Sequence, residues 1–387
     1  MTAMDAAFHT LIRRLRSPDW SDDVFGPPQR LGPEFDPLSL QRGPADWSEA
    51  QKQAVAALQA IKPRRKLAAL LSTSNDALIL PEWIAHHLAV GVEKFFIYTN
   101  DNHDRTESLL RWFAQHAPVT LAISHKAPGV DVQVRNYHHA LFLQPELRLY
   151  EWIAVLDSDE YLMPGPQFGH HMTPFLEAVP QEAGAVLWPW HWRLWEQDFT
   201  RAPGLLAEQY QYATPHSLVK SVTRTGQIAS LHQIHFPEFE PARPLYDTAF
   251  APIEKGHNWH LQGKTYAGGC VEHFWARSFA EFMVKKRRGE ALELIGTPHA
   301  RALETYFTWS QAPSPETWHP WPEQVLAKTK AHLARFQADP YFAALERDIR
   351  KDFEDYTAQL RQDSALCAAF EERTGRSAWA PARASSF

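Results

Sequence analysis

The chain has 387 residues, enough for one large α/β domain with additions or for two domains. With 44% apolar residues and a net charge of -6 the composition is that of an ordinary globular protein, and it lacks the basic excess that a nucleic-acid partner calls for. Two cysteines exclude a disulfide framework and suit a reducing compartment, while fifteen Trp and twenty His are many for this length, and Trp faces stack on sugar rings as well as filling cores.

Residues 1–62 read as an extension, with a short amphipathic helix through Phe8, Leu11, Ile12 and Leu15 followed by a Pro- and Gly-rich stretch from Gly26 to Pro37. The apolar part of MTAMDAAFHTLIRRLRSPDW is too short and interrupted for a secretory signal, and nowhere do the about 18 apolar residues of a membrane span run together. The expected location is therefore the cytoplasm.

Residues 63–292 have a different character. KLAALLST is an apolar run of strand length, followed by Asn75-Asp76 and then by LILPEWIAHHLAVGV, whose Leu80, Trp83, Ile84, His87 and Leu88 recur at helical spacing. KFFIYT is a second strand, after which Asp104 and Glu107 predict an N-cap and capping box for a helix through Leu109, Leu110 and Phe113. VTLAIS supplies a third strand, RNYHHALFL a third helix, and YEWIAVL a fourth strand that ends on Asp157-Ser158-Asp159-Glu160. Alternating strands and helices predict a mostly parallel sheet covered on both faces, a Rossmann-like α/β fold. AVLWPWHW is a further strand, and residues 293–387 are helical, with one apolar stripe through Phe342, Leu345, Ile349, Phe353, Tyr356 and Leu360.

Ligands of such sheets bind beyond the carboxyl ends of the strands. Asn75-Asp76, Asn100-Asp101 and Asp157-Ser158-Asp159 all fall there and converge on one crevice. Two carboxylates spaced i, i+2 beyond a buried strand repel unless a cation joins them, and Mg²⁺ or Mn²⁺ accepts a few carboxylates together with substrate phosphate oxygens.

The segment LPEWIAHHLAVGVEKFFIYTNDNHDRT followed by WIAVLDSDEYL resembles the family-2-like glycosyltransferases of the domain of unknown function 23 and family 92 relationship, which have the GT-A fold. The resemblance continues in LVKSV (218–222), around His232 and in VEHFWARSFAEFMVKKRRGEA, and covers about residues 66–292. It implies a nucleotide-sugar donor, UDP-linked, a glycan or other hydroxyl acceptor, hexosyl transfer with inversion, and a place in polysaccharide biosynthesis. It also implies that Asp157 and Asp159, with His273, hold Mn²⁺ or Mg²⁺. Asn75, Asp76, Asn100, Asp101, Arg135, Ser158 and Lys220 would bind the donor, with Asp76 standing where relatives have Glu. Each has a plainer alternative: Asn75 as a helix cap, Arg135 as an ordinary ion-pair partner, Lys220 as a strand-edge residue.

Where relatives tend to have an aromatic-Gly-Ser stretch, this chain has WPWHWRLWEQDF, the expected acceptor wall. Glu196 and Asp198 follow it and are the expected general-base candidates, with Glu196 preferred because Trp192 and Trp195 beside it desolvate a carboxylate. His232 and His235 also have a spacing that resembles a metal site. Lys285, Lys286, Arg287 and Arg288 form a basic cluster, read as a solvated helix end or a peripheral membrane contact. The competing functions are a metal-dependent nucleotide phosphohydrolase, which needs more ligands for a second metal, and a non-catalytic carbohydrate-binding protein.

Overall fold

The computed structural model describes residues 9–10, 29–30, 48–126, 131–195, 197–226, 228–230, 235–239, 242–253, 266–288, 302–309 and 314–381. The expected amphipathic helix at Phe8–Leu15, apart from its helical residues His9 and Thr10, and most of the Gly26–Pro37 stretch lie outside them, as do Glu196 and His232.

In chain order the elements begin with β1 (Gln29–Arg30), α1 (Glu49–Gln59), β2 (Arg65–Thr73), α2 (Leu80–Ala89), β3 (Lys94–Asn100), α3 (Thr106–His116), β4 (Val119–Ser124), α4 (Val132–Leu143), β5 (Tyr150–Val155) and β6 (Glu160–Pro164). They continue with α5 (Met172–Ala178), β7 (Ala185–Arg193), α6 (Leu206–Gln209), β8 (Ala213–Arg224), β9 (Ile228–Ser230), β10 (Glu238–Phe239), β11 (Leu245–Asp247), β12 (Pro252–Ile253) and β13 (Gly269–His273). The chain closes with α7 (Phe279–Arg288), α8 (Leu303–Thr308), α9 (Glu323–Gln337), α10 (Pro340–Gln362) and α11 (Ser364–Thr374).

The strand order runs β1-β4-β3-β2-β5-β8-β7. From β1 to β5 every pairing is parallel, as the alternation of strands and helices predicts. β8 then enters antiparallel between β5 and β7, and β7 carries β11 and β13, both parallel, along its other edge. The sheet is therefore mostly parallel with a mixed second half, flanked by helices.

Side-chain chemistry explains several of these joints. The His86-His87 pair of α2 is fully buried, and the backbone of β6 uses it: His86 Nε2 lies 2.7 Å from the Leu162 carbonyl, which accepts, while His87 Nε2 accepts from Leu162 N at 3.2 Å. His87 must then carry its proton on Nδ1, which donates to the Trp83 carbonyl at 2.8 Å. Burial lowers the His86 pKa to about 4, so the ring is neutral and supplies hydrogen bonds rather than charge. The expected capping box at α3 is replaced: the N-cap is Arg105, without a side-chain cap bond. Asp104 Oδ1 accepts from Thr106 N at 2.9 Å, and Glu107 turns instead to Arg111, one helical turn on.

The C-terminal helices share the main hydrophobic core. Phe342 of α10 packs on Trp112 with ring centroids 4.5 Å apart, and Phe336 of α9 on Phe113 at 5.1 Å. Of the predicted stripe, Phe342, Leu345 and Ile349 are buried, while Phe353, Tyr356 and Leu360 are half-buried.

Glu82 on α2 gives a testable property of this core. Its carboxylate accepts from Leu206 N at 2.8 Å and Ala207 N at 3.2 Å, yet burial raises its pKa from 4.5 to about 7. Above its ordinary value the unfolded chain loses the proton while the folded chain keeps it. Stability due to this group is therefore full below about 4.5 and is lost as the pH rises through about 7. Chemical denaturation should show stability falling by about 1–3 kcal/mol across that window, and Glu82→Gln should flatten the slope. An equal slope in the variant would assign the effect to other groups.

Candidate active site

A cavity of about 730 Å³ opens at the carboxyl ends of β2, β3 and β5. Its lining includes Asp76, Asn100, Asp157, Ser158 and Asp159 together with the aromatic rings of Trp190, Trp192, Trp275, Trp309 and His216. The strand ends deliver the first group because each chain leaves the sheet there into a tight turn. Asn75 has φ +55° and Asp101 φ +43°, a left-handed conformation that Asn and Asp tolerate better than most residues.

Asp157 is 34% exposed toward this cavity. Its Oδ1 accepts from Gln133 Nε2 at 2.8 Å and its Oδ2 from the buried Lys220 Nζ at 2.9 Å. Burial pushes its carboxyl up, but the Lys220 ammonium more than offsets this and holds it below the usual value. Glu160 is buried behind it, accepting from Asp157 N at 2.8 Å, and burial raises its pKa to about 8. Asp159 is buried, with Oδ2 paired to Lys285 and Oδ1 3.6 Å from His273 Nε2. Against the opposing effect of burial, the Lys285 ammonium and then His273 hold Asp159 well below the carboxylate range.

The structure brings His273 to Asp159 across more than a hundred residues of sequence, with its ring packed at 4.1 Å from Trp190. The buried His273 Nδ1 has no hydrogen-bond partner. Asp76 Oδ2 accepts from Thr73 Oγ1 at 2.6 Å and Ser158 Oγ at 2.7 Å, and pairs with Arg288. Arg288 also donates to the Ser74 carbonyl at 2.8 Å.

Other candidates lie elsewhere. Asn75 accepts from His103 N at 2.6 Å and Asp104 N at 3.3 Å, bracing the turn between β2 and β3. Asp101 is exposed; it is not among the cavity-lining residues, and it accepts from Lys126 N at 2.7 Å. Arg135 is buried and donates to the His125 carbonyl, outside the cavity lining. Asp198 pairs with Arg376 and is not among the cavity-lining residues. His235 is half-buried, its Nδ1 2.6 Å from the Val219 carbonyl, and desolvation lowers its pKa to about 3.

The basic cluster of α7 is the main surprise. Lys285 is buried against Asp159, and Arg288 lines the cavity, while only Lys286 and Arg287 are exposed. Neither the solvated helix end nor a membrane-facing patch describes Lys285 and Arg288. Among the described residues, no helix is long and apolar enough to cross a membrane.

Asp157, Asp159 and His273 all line the cavity. Two carboxylates and one imidazole suit a divalent ion that also takes oxygen from a ligand. Among the described residues, three ligand atoms mutually within 4.8 Å occur only at His191, Cys270 and Glu272, so Asp157, Asp159 and His273 are not gathered around one point here. The same space is lined by Lys126, Lys285 and Arg288, cations placed to meet an anion.

The fold and the cavity define an α/β protein with acidic, basic and aromatic groups gathered at its strand ends. Residues 68–292, more than half of the chain, match the model of glycosyltransferase family 92, and the chain belongs to that family. It is similar to a glycosyltransferase family 92 protein of Ricinus communis, 30% identical over 87 residues, which are 22% of this chain and 15% of the relative. A family 92 protein of Oryza sativa subsp. japonica is 33% identical over 95 residues, 24% of this chain and 15% of the relative. The matched stretches thus cover about a seventh of those proteins. The solved structure of S. aureus TarS 1-349 in complex with UDP is 12% identical, covers 41% of this chain and 47% of that one, and has a TM-score of 0.27. Glucosyl-3-phosphoglycerate synthase from Mycobacterium tuberculosis in complex with Mn²⁺, UDP and glucosyl-3-phosphoglycerate is 18% identical, covers 43% of this chain and 52% of that one, and has a TM-score of 0.23. At this level of similarity neither structure carries an argument about the site.

Proposed function

We propose that the chain is a metal-dependent, inverting glycosyltransferase of GT-A architecture that moves a hexose from a UDP-sugar to a hydroxyl acceptor. The observation that carries the reading is the convergence of Asp157, Asp159 and His273 with Lys126, Lys285 and Arg288 on one cavity with a Trp wall. Asp157, Asp159 and His273 would hold the ion, and the nitrogen ligand favours Mn²⁺ over Mg²⁺. When bound, the ion neutralises charge on the departing diphosphate.

The chain's own groups do the rest. Lys285 and Arg288 present fixed positive charge to the diphosphate, and Asp76, paired with Arg288, keeps that guanidinium in place. Asn100, which lines the cavity at the end of β3, would meet the nucleoside. Trp190, Trp192, Trp275 and Trp309 offer apolar faces to the sugars and exclude water from the reacting bond.

The test is a thermal-shift titration with UDP, with Mn²⁺ and without it. UDP with Mn²⁺ at ~100 times its dissociation constant should add about 2.7 kcal/mol of stability, and UDP alone much less. Equal stabilisation by UDP in the two conditions would overturn the metal dependence, and none in either would overturn the donor.

A further inference from the structure

β7 and β13 pair in parallel with His191 opposite Glu272 and Trp192 opposite His273. Successive side chains of a strand point to opposite faces. Trp190, Trp192 and His273 face the cavity, so His191 and Arg193 of β7, with Cys270 and Glu272 of β13, share the face behind it. There Glu272 Oε1 is a point of convergence. His191 Nδ1 is 3.3 Å away, Cys270 Sγ 3.5 Å and His319 Nε2 3.7 Å.

We propose that His191, Cys270 and Glu272, completed by His319, form a structural zinc site on the face of the sheet opposite the cavity. Zinc bonds of about 2.3 Å to sulfur and about 2.0–2.2 Å to nitrogen and oxygen give a tetrahedron with edges of about 3.3–3.6 Å. The separations of His191 and Cys270 from Glu272 Oε1 match those edges, while His319 Nε2, at 3.7 Å, stands about 0.3–0.4 Å beyond a nitrogen–oxygen edge and moves inward to complete the set. The ligand atoms of His191, Cys270 and Glu272 lie mutually within 4.8 Å and all three residues are buried. His319 approaches from the open side, its ring edge-on to that of His191 with centroids 4.3 Å apart.

The surroundings are arranged as a support for such a centre. Arg193 Nε donates to Glu272 Oε2 at 2.6 Å and so leaves Oε1 to the other groups. Arg193 Nη1 donates to the His319 carbonyl at 2.6 Å, and His319 N donates to the Gln211 carbonyl at 2.7 Å, which fixes the fourth residue by its backbone. Gly269, with φ +137° and its missing Cβ 2.5 Å from the Met163 carbonyl, lets β13 enter close enough to place Cys270. One thiolate and two imidazoles select zinc over the hard cations of the cavity. Binding moves the Cys270 proton to solvent, and thiolate and carboxylate offset the charge of the ion, with the Arg193 guanidinium a further positive charge on the other carboxylate oxygen. Its effect is to clip the segment around His319, which leads into α9, onto β7 and β13. Because Glu272 precedes His273, the same clip braces the residue that faces Asp159.

The experiment exploits the fact that the chain has only two cysteines, Cys270 and Cys367. The full chain is stripped with chelator, reconstituted with Co²⁺, and its near-ultraviolet spectrum recorded for thiolate-to-cobalt charge transfer. We expect one equivalent of thiolate-bound cobalt in the wild-type chain and in Cys367→Ser, displaced by zinc, and loss of the band in Cys270→Ser and in His191→Ala. The cavity contains no cysteine, so an ion held there leaves the spectrum without this band. A folded wild-type chain that shows no band, or a band that survives Cys270→Ser, overturns the site. The wild-type and Cys367→Ser spectra decide the matter even where the other variants fail to fold.

Discussion

Asp159→Asn is expected to abolish Mn²⁺-dependent binding of UDP and, in the same variant, to lower the unfolding free energy by about 3–5 kcal/mol. Both losses come from one buried carboxylate. Its Oδ2 is paired with Lys285, and its Oδ1 faces His273 Nε2 at 3.6 Å. An amide of the same shape keeps the packing but has no charge for a divalent ion. It also leaves the Lys285 ammonium buried without the Asp159 charge, the Trp275 carbonyl at 2.8 Å and the Trp275 ring at 5.5 Å being among its other contacts. A buried charge without its counter-charge is the costly half of a broken ion pair.

The two effects are separable. Calorimetry well below the transition of the variant reads binding on folded protein, and urea denaturation reads stability. Adding Lys285→Met to Asp159→Asn removes the stranded ammonium, so part of the stability should return while binding does not. Unchanged affinity for UDP with Mn²⁺ in Asp159→Asn would sink the cation-site assignment. Unchanged stability would show that the Asp159–Lys285 pair contributes no more than an exposed one.

What the sequence allowed to be read, and what it hid, follows from how local each signal is. β2, β3, β4 and β5 are apolar runs of strand length with turn residues after them, so their parallel order and the grouping of Asp76, Asn100 and Asp157 at one end follow from alternation alone. β8 carries no such mark, and its antiparallel entry between β5 and β7 had to come from the structure. Lys285 and Arg288 were hidden by distance, 126 and 212 residues from the carboxylates they pair with. Their spacing held a clue all the same. Positions three apart share a helix face, so a run of four cations can turn two inward while Lys286 and Arg287 stay exposed. Asp101 stands after a strand as Asp157 does, and in its left-handed turn the carboxylate accepts from the backbone of Lys126. The zinc-type cluster depends on the pairing of β7 with β13 and on a loop far along the chain, and no sequence spacing announces that.

Glu196→Gln is expected to lower turnover about 10²–10⁴-fold, the usual loss for a general base, while the affinity for UDP and Mn²⁺ stays at the wild-type value. Direct displacement with inversion needs one carboxylate to take the proton from the acceptor hydroxyl. The described carboxylates that line the cavity are all engaged elsewhere. Asp76 is held by Arg288, Thr73 and Ser158, Asp157 by Lys220 and Gln133, and Asp159 by Lys285. Asp198 is paired with Arg376, which makes Asp198→Asn a variant that should lose stability before it loses turnover per folded molecule. Glu196 remains, directly after Trp195, whose ring packs 5.7 Å from Trp275 on the cavity wall. A carboxyl desolvated by aromatic side chains is raised toward the pH at which a base is most effective, the sequence-based ground for preferring Glu196. Normal turnover in Glu196→Gln together with loss in Asp198→Asn would move the base two residues along. Normal turnover in both would remove it from this segment altogether and return the role to a group such as His216, which lines the cavity with its ring stacked at 4.8 Å on Trp192.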